Sequence, residues 1–188
     1  MAERVIKTYR SVAVLNYVMS RMSRSRLEVA DIQAIMRVRN GLMHDLLSVS
    51  PWSGLPDTER RRFSKSIYEV TRLTSVLYAC AVLLGLPFTS GWHIKILSQI
   101  RQAWEHRPCD WQTEVPELVL WCLCVGGIAA RHTTHRAFFE DALLRSYHQD
   151  SHGSWLPVRE GLQRFLWSDV ACGDSAQTLW GSLTRDSL

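Results

Sequence analysis

The stretch Leu118-Val-Leu-Trp-Cys-Leu-Cys-Val-Gly-Gly-Ile-Ala-Ala130 is apolar on every face that a helix would present, and it constrains this chain more than any other segment. A helix that is hydrophobic all round belongs in the middle of a core or in a bilayer. The run from Val115 to Ala130 falls short of the roughly 20 residues that a bilayer span requires, and so does the other long apolar run, Val76 to Phe88. No membrane span is expected, which leaves the centre of a helical bundle. Pro116 suits a first helical turn, and Glu114 and Glu117 complement the positive end of the helix dipole. Gly126 and Gly127 each cost up to about 1 kcal/mol relative to alanine in a helix interior, so they call for close approach by a neighbouring helix or by a ligand.

A central helix needs neighbours, and helical periodicity supplies them. Ser25 and Glu28 have the form of a capping box opening a helix with Ile32, Ile35, Met36, Leu42, Met43, Leu46 and Leu47, weakened at Gly41. Ser48 to Pro56 is a connection. Asp57 or Thr58 then caps a long helix to about Leu84, with Phe63, Ile67, Val70, Leu73, Val76, Leu77 and Cys80 near one face; Gly85 and Pro87 end it. Ser90 caps a helix over Gly91 to His106, with Ile94, Leu97, Ile100 and Trp104 inward. Further helices are expected near Thr134 to His148, Val158 to Val170 and Ser175 to Leu183. The expectation is an all-α chain, one domain over residues 1–188, with seven to eight helices around the apolar helix near 116–130. At this length a chain buries roughly 70% of its unfolded surface, so folding requires no disulfide or metal staple.

The net charge of +4 comes from the first part of the chain: residues 1 to 72 carry 13 Lys+Arg against 7 Asp+Glu. The clusters Arg21, Arg24, Arg26 and Arg60, Arg61, Arg62, Lys65 are short, and solvated helix ends explain them better than a nucleic-acid stripe. The first 27 residues hold six cations and a single acid, Glu3, but Val5, Tyr9, Val12 and Met19 recur near helical spacing. An amphipathic helix is therefore preferred to a mitochondrial presequence. Five cysteines, with Cys80, Cys122 and Cys124 inside apolar runs, point to reduced, buried thiols in an intracellular compartment.

Several signatures fall in an order that resembles a known family. They are Arg39-Asn-Gly-Leu-Met-His-Asp-Leu-Leu-Ser48, Tyr68-Glu-Val-Thr-Arg72 leading to Leu77-Tyr78, Glu117 to Ala130 followed by Phe138-Phe139, and Phe165-Leu-Trp167 before Cys172. Across about residues 30–180 the chain resembles the C-terminal helical region of fungal zinc-cluster transcription factors, the fungal-specific transcription factor domain. The resemblance implies an all-helical regulatory domain, intracellular in the nucleus or cytoplasm, that works through a regulatory protein partner or a second copy of itself and, in some members, senses a small molecule. The six-cysteine zinc cluster through which such regulators read DNA has no counterpart in these 188 residues, so autonomous DNA binding by that module is not expected.

Candidate chemistry is sparse. Glu69 and Arg72, three apart, share a helix face and form an ion pair; the functional alternative is that the pair borders a pocket and orients a polar ligand group. His93, beside Trp92, is the best candidate for a pocket histidine. His132 with His135 and His148 with His152 lack a third ligand in register, so neither a metal nor another cofactor is expected. Eight tryptophans mostly fill core space, and the remaining reading is an aromatic-lined cavity. Tyr78, Trp92, Trp121, Gly126 and Gly127 are the ligand-binding candidates for an apolar small molecule. The alternative function is a free-standing metabolite-pathway enzyme, a cyclase or isomerase, orienting its substrate in that cavity with Glu69, Arg72 and His93 as its reactive groups. Nucleophile elbows, phosphate-binding loops and dinucleotide fingerprints are missing from the sequence.

Overall fold

The apolar run forms the helix at the centre. In the computed structural model, which describes residues 28–61, 64–106, 115–148 and 154–185, Pro116–Ala129 is an α-helix with Pro116 in its first turn, and every residue from Val119 to Gly127 is buried. Eight α-helices and no strand occur among the described residues. They are α1 (Val29–Leu47), the single turn α2 (Asp57–Arg60), α3 (Lys65–Tyr78), α4 (Ile94–Glu105), α5 (Pro116–Ala129), α6 (Arg136–Leu143), α7 (Trp155–Arg164) and α8 (Asp169–Arg185). The all-α expectation therefore holds. α5 packs against α3, α6, α7 and α8, while α3 also packs on α4 and α1. Burial on all sides is what an all-round apolar helix requires, and the resulting core runs without a break from Leu42 to Leu183.

The glycines let two neighbours approach. A Cβ at Gly126 would lie 2.6 Å from Phe139 Cζ and closer still to Cε1, and one at Gly127 would lie 2.7 Å from Leu179 Cδ2. Both distances are below van der Waals contact, so α6 and α8 sit where any larger residue on α5 would push them away. Arg136 then closes the C-terminal end of α5: its Nη1 donates to the Gly127 carbonyl (2.8 Å) and its Nε to Glu140 (2.7 Å). A cation on a free carbonyl in a last helical turn satisfies both the hydrogen-bond need and the dipole there.

Several boundaries differ from the periodic reading. The helix expected from Ser25 starts at Val29, with Glu28 as N-cap and its backbone N–H donating to the Asp31 carboxylate (3.3 Å); Ser25 and the face through Val5 to Met19 lie outside the described residues. Gly41 does not interrupt α1. The long helix expected over 57–84 is divided into α2, α3 and a π-type turn, Ala79–Leu83. The 3-10 turn Trp52–Gly54 packs back onto α3, and Arg60 Nε donates to the Leu55 carbonyl (2.8 Å), which ties α2 to the connection before it. At the other end the Leu84 N–H reaches back five residues to the Ala79 carbonyl (3.2 Å) before Gly85 leaves the helix at φ 64°.

The helix expected from Gly91 begins at Ile94 because Gly91 takes φ 77°, a left-handed conformation that no α-helix contains. Leu97, Ile100 and Trp104 point into the core as expected, but Ile94, at the helix start, is exposed. The helix expected over 134–148 is α6 followed by a π-type turn, Leu144–His148. That over 158–170 becomes the shorter α7, ending at Arg164, and the last helix starts earlier, at Asp169. Asp169 holds this junction: Arg159 donates to both its oxygens (3.1 and 2.9 Å), and Gln163 and Trp167 donate to it as well. None of the helices among the described residues is long and apolar enough to cross a membrane.

Candidate functional site

The sequence candidates fall into three places. The first is the core of the bundle. Trp121, wholly buried, has the Tyr78 ring at 5.6 Å between centroids and the Phe165 ring at 5.4 Å, both tilted against it. Such offset aromatic contacts add to the stabilisation that burial gives. Two of the candidates, Tyr78 and Trp121, thus meet, and Phe165, two helices further along the chain, completes a cluster that helical spacing alone does not disclose. Gly126 and Gly127, a turn or more along α5, face Phe139 and Leu179. Around these four candidates the space is occupied by side chains.

The second place is the turn into α4. His93 precedes the first residue of α4 and is 2% exposed. Phe88 and Trp92 stack on each other, and both meet the His93 ring edge-on, at 5.1 and 5.7 Å. The Trp92 indole N–H donates to the Pro87 carbonyl (3.2 Å). Among the described residues His93 Nδ1 has no hydrogen-bond partner, and burial pushes the pKa of the ring below the usual histidine value. Burial in this aromatic collar therefore disfavours the charged form of His93.

The third place is an open groove of about 760 Å³ between α3 and α4, lined by Lys65, Ser66, Glu69, Arg72, Gln102 and His106 among others. Glu69 and Arg72 do form the expected ion pair: Arg72 donates through Nε (2.9 Å) and Nη2 (2.7 Å) to one Glu69 oxygen. The other Glu69 oxygen accepts the Trp52 backbone N–H (2.5 Å), and the Tyr68 hydroxyl donates to the Ser50 carbonyl (2.5 Å). These bonds pin the connection at 50–54 to α3. Both partners are mostly buried, at 15% and 18% exposure, so the carboxylate is committed to structure. Across the groove Ser66 Oγ donates to the His106 carbonyl (2.8 Å), and His106 Nδ1–H donates to the Gln102 carbonyl (2.8 Å).

Sequence reasoning found the two groove residues that are three apart on one helix. It missed Gln99, Gln102 and His106, which arrive from α4 some thirty positions later. Their signal was present but weak: they are the polar side of a helix whose other side is Leu97, Ile100 and Trp104.

Four of the five cysteines are described; Cys80, Cys122, Cys124 and Cys172 are buried free thiols. Burial pushes the thiols of Cys122 and Cys172 up to about 12, and those of Cys80 and Cys124 also rise. Among the described residues no three His, Cys, Asp or Glu side chains gather at metal-binding spacing, and His152 lies outside those residues.

These elements build an all-helical bundle around one buried Trp- and Gly-bearing helix. The chain belongs to the family described as the fungal specific transcription factor domain, whose family model matches residues 20–168. The zinc-cluster module is not detected. Comparisons with curated proteins and with solved structures found no match.

Proposed function

We propose that this chain is the regulatory part of a transcription-control system, acting in the nucleus through contacts with a protein partner or a second copy and through a bound small molecule. The family match over residues 20–168 is the observation that carries this reading. The surface supports it. Along one face of α1 the side chains of Val29, Ile32 and Met36 are 41–72% exposed, an apolar content that solvent alone does not favour. Lying outside the groove and outside the core, this face leaves room for protein contacts while the bundle stays closed.

For the effector, the core around Tyr78, Trp121, Gly126 and Gly127 would admit an apolar molecule only if Phe139, Leu179 or Phe165 gave way. The groove between α3 and α4 needs no such rearrangement, and its volume is that of an ordinary small-molecule site.

Fusing the chain to an unrelated DNA-binding domain, above an integrated reporter, tests the reading. Reporter output is expected to differ from that of the DNA-binding domain alone, with a fluorescent fusion of the chain entering the nucleus. Unchanged output in a host where the fusion is nuclear and intact would sink the proposal.

A further inference from the structure

We propose that the groove between α3 and α4 binds a small organic carboxylate, gripped by the edge of the Arg72 guanidinium that Glu69 leaves unused and by the Lys65 ammonium. A guanidinium has five N–H donors in a rigid fork with two carboxylate-sized edges. Glu69 takes the side edge, through Nε and Nη2, and leaves the end edge, built from Nη1 and the second Nη2 proton. The grip of Glu69 is part of the device. It fixes the orientation of a mostly buried guanidinium before any ligand arrives, which lowers the entropy lost on binding.

Charge decides the class of anion. Among the described lining residues, histidine aside, Lys65 and Arg72 stand against Glu69, an excess of one positive charge. A monocarboxylate balances that charge and matches the planar fork; a phosphate near neutral pH brings about 1.5 to 2 negative charges, more than this excess balances. The walls give the rest of the ligand its character. Leu73, Ala103 and Pro51 are apolar, and the amides of Gln99 and Gln102 can bond a second polar group. The occupant is then a carboxylate with a compact apolar body.

This proposal names the effector class of the regulatory reading and rests on that reading for its biological role. The test reads the groove directly. Phenylacetate, uncharged phenylacetamide and inorganic phosphate are titrated into the 15N-labelled full chain. Phenylacetate is expected to shift amides of α3 and α4 near Arg72 and Gln102 saturably, with phenylacetamide binding about tenfold more weakly or not at all. Lys65→Ala and Gln102→Ala change exposed side chains and are expected to weaken phenylacetate severalfold with the spectrum otherwise intact. Arg72→Lys keeps a cation for Glu69 and removes the fork, and is expected to lose binding while the chain still unfolds cooperatively. Equal binding of acid and amide, saturation by phosphate with phenylacetate silent, or shifts outside the groove would each overturn the assignment, as would no saturable shift at millimolar phenylacetate. A silent groove leaves a positive reporter result standing, and a silent reporter leaves a saturable titration standing, so the two readings fail separately.

Discussion

Gly126 and Phe139 occupy one packing site between them: the ring of Phe139, wholly buried, lies where a Cβ at position 126 would be, 2.6 Å from Cζ. Gly126→Ala therefore overpacks the α5–α6 contact. Overpacking of a dense core costs typically about 1–3 kcal/mol, and a flat, buried ring has little freedom to turn aside, so the loss is expected at the upper end. Gly127→Ala meets the terminal methyl of Leu179, a flexible side chain, and is expected to cost less. Denaturant unfolding of both variants checks the order. A Gly126→Ala/Phe139→Leu double variant is expected to recover part of the loss, and strict additivity would show that the two residues do not share the site.

Trp121 and Tyr78 are the second core relationship to test. Trp121→Ala removes the largest wholly buried side chain among the described residues, one that touches Tyr78 and Phe165, and is expected to cost about 3–5 kcal/mol. Trp121→Phe keeps part of the aromatic contact and is expected to cost less. Thermal unfolding measures both; an alanine variant as stable as the parent would mean that the centre of the bundle is not packed as described.

Glu69 carries a polar anchor with two distinct halves. Glu69→Ala strands both the Trp52 N–H and the Arg72 guanidinium, and is expected to destabilise by about 2–3 kcal/mol, since each buried donor left without a partner costs about 1–3. Glu69→Gln keeps an acceptor for Trp52 and is expected to retain most of the stability. The pair of unfolding curves, with amide exchange at Trp52 as a local reading, separates the anchor from the ion pair; equal losses for the two variants would assign the effect to charge alone.

How far the sequence discloses this molecule depends on distance along the chain. α5 is legible because its pattern needs no partner: an unbroken apolar run from Leu118 to Ala130 has one place to go. The Glu69–Arg72 pair is legible because three residues is a helical neighbour distance. The tie of the 50–54 connection to α3 was not, because its bonds join Trp52 to Glu69 and Ser50 to Tyr68, 17 and 18 positions apart. Likewise the glycines announced a close approach without naming what approaches, since Phe139 and Leu179 come from two later helices. The groove needed α3 and α4 in register, which no local pattern fixes. The Arg136 bond to the Gly127 carbonyl gave no signal beyond an ordinary arginine at the start of a helix.

The buried thiols bear on chemical reactivity. A thiol pushed up to about 12, as at Cys122 and Cys172, holds far less thiolate at about pH 8 than a free cysteine does. Slow alkylation by iodoacetamide is expected at all four described cysteines of the folded chain, with release on adding denaturant. Peptide mapping by mass spectrometry assigns the sites and keeps Cys109 apart; rapid native labelling at Cys122 would contradict the burial of α5.

His93 gives the fold a pH dependence of definite sign. Burial lowers the pKa of His93 in the folded chain, whereas the unfolded chain titrates near the ordinary histidine value of about 6.5. Above that value both states are neutral and the collar of Phe88 and Trp92 is at full strength. As pH falls below it, the unfolded state takes up a proton that the folded state resists, so stability declines until the folded-state pKa is passed. His93→Phe fills the same aromatic site without a titratable ring and is expected to flatten this part of the profile. Urea unfolding of parent and variant at about pH 7 and about pH 5.5 makes the comparison, the parent losing more stability than the variant between the two conditions. Parallel losses would place the pH sensitivity elsewhere and remove His93 from the account, because a residue that is 2% exposed and, among the described residues, lacks a partner at Nδ1 cannot accept a proton in the folded state without cost.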